Sequence, residues 1–273
     1  MALATAGFSL GIRAVSSLRP HEETIPTHVR DLVAEMTGDG VQKDPIIIDR
    51  DTGTVLDGMH RMAAFKEMGE ENAVCCSVEY SSKAITLGRW ARCYTLKEGD
   101  SAAAAVAEAG DARRTSLAEA FSALQRRETL LAVLTSDSAY LMGGRGTQDE
   151  VGAAMAIFDG RSEKEGWQRR FVPEDDVDVE LQAKRRIVVI PRRLTKDDVV
   201  SAARTGRLFP CKTSMHLIDP RPVAVRFPLA ELRSATTETL RKRLPDGGGR
   251  LAPAGTNYDG RRYKERLLFL NTE

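Results

Sequence analysis

The spacing of apolar residues in the first hundred positions predicts an alternation of strands and helices. Residues 29–36 carry apolar side chains at i, i+3, i+4 and i+7, which predicts an amphipathic helix. The β-branched run at 46–48 predicts a strand that is buried on both faces. Further elements are predicted as strands at 12–18, 55–56 and 74–80 and as a helix at 59–68 that ends at Gly69. This order indicates the α/β (α+β) fold class.

The pattern changes near residue 100, where the chain becomes rich in alanine. Residues 101–134 predict mostly helix. We therefore divide the chain into an N-terminal domain, residues 1–100, and a C-terminal domain, residues 101–273. Thr195, with Asp198 three residues later, is typical of a capping box and marks the start of a late helix. Other elements predicted in this half are a helix at 151–158 and a strand at 187–190.

Composition narrows the class of protein. The chain has 40 basic and 39 acidic side chains, so no overall positive field attracts nucleic acid, and we expect no nucleic-acid partner. No apolar run reaches the roughly 18–20 residues that a spanning helix needs, so we expect no membrane partner. The four cysteines show no Cys-x-x-Cys spacing. We therefore expect a cytoplasmic protein without a structural metal.

Residues 57–61, Asp-Gly-Met-His-Arg, are a candidate anion site because they join a predicted strand to a predicted helix. Gly58 lets the backbone approach an anion, and the amides of the first helical turn bind phosphate oxygens. His60 and Arg61 add side-chain donors, and Arg is a permanent cation. Asp57 is suited to bind Mg²⁺ or to align a hydroxyl. The alternative is a tight Asp-Gly turn in which Asp57 caps the helix.

Two other segments could carry chemistry. Residues 20–23 are Pro-His-Glu-Glu, and Glu22 is suited to take a proton from an attacking alcohol; the alternative is a solvated loop charge. Residues 211–216 are Cys-Lys-Thr-Ser-Met-His, in which Lys212 and Thr213 are suited to hold a carboxylate or phosphate; the alternative is a polar connector. The chain has no G-x-x-x-x-G-K-[ST] motif, so a kinase reaction here would not be that of a P-loop kinase.

Two separated blocks of motifs resemble a known family. Residues 18–69 contain P-H-E, T-G-D-G, P-I-I-I and V-L-D-G-M-H-R, which look like the ParB/sulfiredoxin superfamily and, within it, the free L-serine kinases first known as ADP-dependent enzymes of archaeal cysteine biosynthesis. Residues 212–216, K-T-S-M-H, resemble the C-terminal motif of that group, K-T-[ST]-x-H. The resemblance covers roughly residues 15–95 and 187–233. It implies a ParB/sulfiredoxin-like N-terminal domain, a mixed helix-and-sheet C-terminal domain and an active site in the cleft between them.

The resemblance also implies roles for individual residues. Glu22 would be the base on the serine hydroxyl, and Asp57 would be the second essential carboxylate. The phosphate of the nucleotide would be held by Gly58, Met59, His60 and Arg61. Serine or its phosphate would be held by Trp90, Lys212, Thr213 and His216. The implied reaction converts L-serine to O-phospho-L-serine with ADP or ATP and Mg²⁺, where the metal arrives on the nucleotide phosphates and Asp57 is a further candidate ligand.

One position departs from the family. The group usually has D-G-H-H-R, and Met59 stands at the third position of this motif. Sulfiredoxins carry their catalytic cysteine at this position, and a thioether cannot replace that thiol, which excludes sulfiredoxin chemistry.

One alternative function of another class stays open, that of a ParB-like regulator that binds or hydrolyses nucleotide and acts on DNA or a protein. A kinase for another small hydroxylated metabolite, the choice of ADP or ATP, the oligomeric state and the role of residues 100–185 also stay open.

Overall fold

The computed structural model describes residues 7–243 and 249–271. The strands are β1 (Phe8–Ala14), β2 (Val41–Gln42), β3 (Ile46–Asp49), β4 (Val55–Asp57), β5 (Asn72–Val78), β6 (Ile85–Thr95), β7 (Ala112–Thr115), β8 (Leu131–Leu134), β9 (Ala139–Met142), β10 (Gln168–Pro173), β11 (Arg186–Pro191), β12 (Ser214–Ile218), β13 (Arg221–Val223), β14 (Phe227–Pro228), β15 (Arg250–Ala252), β16 (Asn257–Tyr258), β17 (Arg261–Arg262) and β18 (Leu267–Phe269). The α-helices in these residues are α1 (Pro26–Asp39), α2 (Met59–Glu67), α3 (Ala102–Glu108), α4 (Leu117–Gln125), α5 (Gln148–Glu165), α6 (Val177–Leu181), α7 (Lys196–Thr205), α8 (Leu229–Leu232) and α9 (Thr237–Lys242).

The chain forms two compact units. The first unit contains Met1–Thr86, Val199–Cys211 and His216–Glu273, and the second contains Leu87–Asp198 and Lys212–Met215. This division differs from the predicted boundary near residue 100, because most of the C-terminal quarter of the chain packs with the N-terminal residues. The prediction of a cleft between two lobes as the place of the active site stays a prediction.

A four-stranded sheet in the order β1-β5-β3-β4 forms the centre of the first unit. Strand β3 runs parallel to β5 and antiparallel to β4, and its residues Ile46–Asp49 are all buried, as the apolar run predicts. The first strand lies at Phe8–Ala14 rather than at 12–18, because it pairs with β5 along its whole length and a 3₁₀ turn follows it. Helix α2 ends before Gly69, whose φ of +71° is typical of the residue after a helix.

Long-range pairs join the C-terminal residues to this unit. Strand β14 pairs with β2 through Phe227 and Gln42. The carboxylate of Asp44 accepts hydrogen bonds from the amide of Ala224 (2.7 Å) and from the hydroxyl of Tyr258 (3.0 Å). These contacts join residues about 180–210 positions apart, so no local pattern of apolar residues could have indicated them. They explain why the predicted two-part division differs from the structure.

The second unit is built on an antiparallel sheet in the order β10-β6-β11-β8-β9-β7, with β12 paired to β6. Helices cover both faces: α3 and α5 pack beside Ile187 and Val189, and α4 and α6 pack beside Val188 and Ile190. Alternate side chains of β11 therefore reach opposite cores, which explains its continuous apolar run. In α7, Thr195 and Asp198 form the predicted reciprocal cap, with N–H···O distances of 2.8 and 3.1 Å.

The prediction of mostly helix over residues 101–134 is wrong. The segment contains two short helices, α3 and α4, and two strands, β7 and β8. Gly110 interrupts the alanine-rich stretch with a φ of +131°, and β8 is fully buried between β11 and β9. Pairing inside the sheet outweighs the weak helix preference of the alanines.

Gln42 provides a test of this packing, because its buried amide satisfies the backbone of β5. Its Nε2 donates to the carbonyl oxygens of Val74 (2.8 Å) and Asp44 (3.0 Å), and its Oε1 accepts from the amide of Val74 (2.8 Å). We expect Gln42→Ala to lower the free energy of unfolding by about 3 kcal/mol, because buried backbone groups lose their partners. Urea denaturation followed by circular dichroism measures this change. The exposed Gln168, in β10, is the control, and Gln168→Ala should change stability by less than about 0.5 kcal/mol; equal losses in both variants would contradict the interpretation.

Candidate active site

The Asp-Gly junction connects β4 to α2. Gly58 has a φ of +95°, and a Cβ atom there would lie 2.9 Å from Nη2 of Arg61. Gly58 is the N-cap residue of α2 and has no side chain that could cap the helix. The first hydrogen bond of the helix runs from the amide of Met62 to the carbonyl of Gly58. The amides of the first turn therefore have no acceptor inside the helix. This is the geometry that an anion-binding helix N-terminus requires.

Asp57 lies between two guanidinium groups. Its Oδ2 is 2.8 Å from Nη2 of Arg61, and its Oδ1 is 3.4 Å from Nη1 of Arg221. Burial alone would raise the pKa of Asp57, but the charges of Arg221, Arg61 and Arg261 outweigh it and hold the pKa well below its usual range. The carboxylate therefore stays ionised at neutral pH. The carboxylate of Asp57 pairs with guanidinium groups. It therefore does not act as the helix cap that the alternative interpretation of the Asp-Gly turn predicted.

Arg61 and His60 are both held by backbone groups. Arg61 Nη2 also donates to the carbonyl of Pro45 at 3.1 Å, so part of its fork is fixed away from any ligand. His60 Nε2 accepts the amide hydrogen of Ile25 at 3.0 Å, which joins the start of α2 to the residue before α1. The side chains after Gly58 therefore fix the position of the helix terminus, in addition to any contact with a ligand.

Glu22 is buried, with 4% of its surface exposed. The segment around it pairs with the chain at Phe209, whose amide donates to the carbonyl of His21 (2.9 Å) and whose carbonyl accepts from the amide of Glu23 (2.9 Å). Glu23 is exposed. The interpretation of this segment as solvated loop charges is therefore wrong for Glu22 and holds only for Glu23.

His21 lies between Glu22 and His216. Its Nδ1 donates to the carbonyl of Val55 at 2.7 Å, since a carbonyl oxygen can only accept. Its Nε2 is 3.8 Å from Oε1 of Glu22, and its ring meets that of His216 edge-on, with 5.4 Å between ring centres. Burial lowers the pKa of His21 more than Glu22 raises it. The ring is therefore neutral at pH 7.

His216 completes a polar cluster in the first unit. Its Nε2 is hydrogen-bonded to the hydroxyl of Tyr80 at 2.7 Å, and its carbonyl oxygen accepts from Nη2 of Arg221 at 2.6 Å. Because Arg221 also faces Asp57, the predicted residues Glu22, Asp57 and His216 belong to one continuous cluster. Sequence reasoning gave no role to His21 and Arg221, which connect them, or to Tyr80, which contacts His216.

The other predicted substrate residues lie in the second unit. Lys212 Nζ is 5.1 Å from the centre of the Trp90 ring, a cation–π contact. Lys212 has a φ of +56°, which is uncommon outside glycine, and the next residue, Thr213, is 2% exposed. The structure therefore brings the predicted residues together in two groups, one in each unit.

A separate cavity of about 490 Å³ in the second unit does not contain the predicted residues. Arg89 lines it, whereas Trp90 follows on the same strand and points to the opposite face of the sheet. The carboxylate of Glu174 pairs with Arg89 Nε (2.9 Å) and with Arg193 Nη2 (2.8 Å) at this cavity. One carboxylate therefore pairs with two guanidinium groups at this cavity.

Among residues 7–243 and 249–271, no group of three or more His, Cys, Asp or Glu side chains could hold a metal ion. In the same ranges, no helix has the length and apolar character needed to cross a membrane.

The chain is similar in sequence to L-serine kinases. No family model matches the chain. It is 35% identical over 80 residues to an ATP-dependent L-serine kinase of Staphylothermus marinus, a match that spans 32% of that relative. It is 23% identical over 229 residues to the ADP-dependent L-serine kinase of Thermococcus kodakarensis, covering 80% of this chain and 90% of that one.

The fold is similar to that of solved free serine kinases. A free serine kinase mutant in complex with AMP superposes with a TM-score of 0.69 at 18% identity, over 83% of this chain and 94% of that one. The mixed helix-and-sheet, ParB/sulfiredoxin-like fold class predicted from the sequence is therefore confirmed. The resemblance stated from the motifs is also confirmed: this chain has the fold of the free serine kinases and is similar in sequence to L-serine kinases over most of its length.

Proposed function

We propose that this protein is a kinase that phosphorylates free L-serine to O-phospho-L-serine with a nucleotide. The observation that carries the proposal is that the buried Glu22 and the ionised Asp57 belong to one polar cluster at the N-terminus of α2. The similarity to L-serine kinases over 80% of the chain supports the choice of substrate.

In the proposed reaction, Glu22 accepts the proton of the serine hydroxyl. The serine Oγ then forms a bond to the terminal phosphorus of ADP or ATP, and the bond from that phosphorus to the leaving AMP or ADP breaks. The neutral ring of His21 contributes no positive charge beside Glu22. The protein forms no covalent bond to the phosphoryl group in this reaction, so it would catalyse mostly by positioning the substrates and by electrostatic stabilisation.

The phosphate groups would bind at the first turn of α2, where backbone amides point outward. Asp57 would fix Arg61 across this turn through their 2.8 Å ion pair. Mg²⁺ binds phosphates with one or two carboxylates more often than a protein cage. When bound, it would arrive on the nucleotide and neutralise phosphate charge, and Asp57 is a further candidate ligand whose two oxygens also face Arg61 and Arg221.

For the second substrate, we propose that the ammonium of Lys212 binds the serine carboxylate, while its contact with Trp90 holds it in place. Thr213 and His216 would supply hydrogen bonds. The product would feed cysteine biosynthesis, and a cytoplasmic location fits the buried thiols of Cys75 and Cys76.

Incubation of the purified protein with ¹³C-serine, Mg²⁺ and either ADP or ATP tests the proposal. Phosphoserine detected by ³¹P and ¹³C NMR with one or both nucleotides is the expected result, and the comparison identifies the donor. Absence of phosphoserine, together with a salt-sensitive shift of DNA at physiological ionic strength, would instead favour a ParB-like regulator.

Glu22→Gln tests the general base. We expect kcat to fall about 10²–10⁴-fold, because an amide cannot accept the proton, while the Kd for ADP measured by calorimetry stays unchanged. Glu23→Gln is the matched control, since Glu23 is adjacent and exposed, and it should retain full activity. A Glu22→Gln enzyme with more than a tenth of the normal kcat would contradict the assignment.

Gly58→Ala tests the phosphate-binding turn. The new Cβ would meet the guanidinium of Arg61 and would force alanine into a left-handed backbone. We expect the affinity for ADP to fall about tenfold or more, because a strain of about 1–2 kcal/mol acts on the turn that binds phosphate. Gly38→Ala is the control, because Gly38 is inside α1 and a Cβ atom there would have nothing within 4 Å. It should leave affinity unchanged, and equal losses would rule out a role for the turn.

A further inference from the structure

Arg221 is a buried cation that contacts three acceptors at once. Its side chain is 3% exposed. Nε lies 2.5 Å from Oε1 of Glu265, Nη2 donates to the carbonyl of His216 at 2.6 Å, and Nη1 lies 3.4 Å from Oδ1 of Asp57. One guanidinium therefore joins the end of β4, strand β12 and the segment before β18.

We propose that Arg221, held by Glu265, is a positioning residue for phosphoryl transfer, because it fixes Asp57 and the His216 strand in one arrangement. The inference rests on the proposed kinase function and adds two residues to its site. Neither residue lies in the motifs at 18–69 or 212–216, so their role follows from the structure alone.

The geometry explains why arginine is required. A guanidinium carries five N–H donors in a rigid plane, so it can serve three acceptors in different directions. A lysine ammonium has the same charge but a single nitrogen, which cannot reach the Asp57, His216 and Glu265 oxygens together. The ring of Tyr263, 5.7 Å from Cζ of Arg221, covers the guanidinium and limits its movement.

Glu265 fixes the arginine. Its side chain is 3% exposed, and its Oε2 is buried without a hydrogen-bond partner. A buried carboxylate needs a compensating cation, and the guanidinium of Arg221 contacts it. The two charges are therefore held together, and the remaining nitrogens of Arg221 have a fixed direction toward Asp57 and His216.

Displacement of Arg221 would also disturb the proposed phosphate-binding turn. Asp57 uses its second oxygen to hold Arg61, and Arg61 covers Gly58. Loss of the Arg221 contact would remove one of the three cations that act on Asp57 and would release the His216 carbonyl. A misplacement of about 1 Å in a catalytic arrangement can cost about 10²-fold in rate.

The test compares Arg221→Lys, which keeps the buried charge, with the double variant Arg221→Gln/Glu265→Gln, which removes both charges together. Arg266→Gln is the control, because Arg266 follows Glu265 in the chain but forms an exposed ion pair with Asp219. We expect both test variants to lose about 10–100-fold in kcat and about tenfold in ADP affinity. The control should stay within about twofold.

A double-mutant cycle separates positioning from general stability. If Arg221 acts through Asp57, Arg221→Lys should weaken ADP binding by less than about threefold in an Asp57→Asn background. Additive losses, or a folded Arg221→Lys protein with normal kcat and ADP affinity, would overturn the inference. If the double variant does not fold, Arg221→Lys decides the question. If the wild-type protein makes no phosphoserine, the proposed function fails, and the cycle on ADP affinity still decides the role of Arg221.

Discussion

The structure of the candidate site depends on the ion pairs around Asp57. Two guanidinium groups, from Arg61 four residues later and from Arg221 far along the chain, face this one carboxylate. Charged groups with little access to water need partners, because the cost of removing them from water is otherwise several kcal/mol each. Arg221 is therefore paired with both Asp57 and Glu265. This requirement fixes residues 57, 221 and 265 together, so the C-terminal segment must fold onto the N-terminal sheet before the site is complete.

The local elements of the site could be predicted from the sequence, since they depend on neighbours in the chain. The run Ile46-Ile47-Ile48 gave β3, and Gly69 marked the end of α2. Gly58, between an apolar strand and a helix, indicated a backbone that is open to an anion. The motifs on either side indicated a resemblance to the free serine kinases, and the comparison of solved structures shows that the chain has their fold. These features share one property, that the residues which cause them lie within a few positions of one another.

The parts that could not be predicted depend on pairing between distant segments. The alanine-rich stretch after residue 100 favours helix locally, yet β7 and β8 form in it because strands elsewhere in the chain provide hydrogen-bond partners. The same reason explains why Arg221 was missed. Its sequence neighbours are prolines and an aspartate, and only the fold places it against residue 57. The burial of Glu22 could not be predicted from the sequence either, because it results from the bridge to Phe209.

The methionine at position 59 acquires a specific meaning from this geometry. A helix N-terminus binds phosphate through backbone amides, and those amides are the same for Met59 as for histidine. The nearby side chains are held in place by Asp57 and Pro45 in the case of Arg61, and by the amide of Ile25 in the case of His60. Substitution at position 59 therefore removes at most one side-chain contact and leaves the turn intact. We infer that the effect of Met59 falls on the strength of nucleotide binding or the choice of nucleotide, while the architecture of the phosphate site is carried by Gly58 and the ion pairs around Asp57.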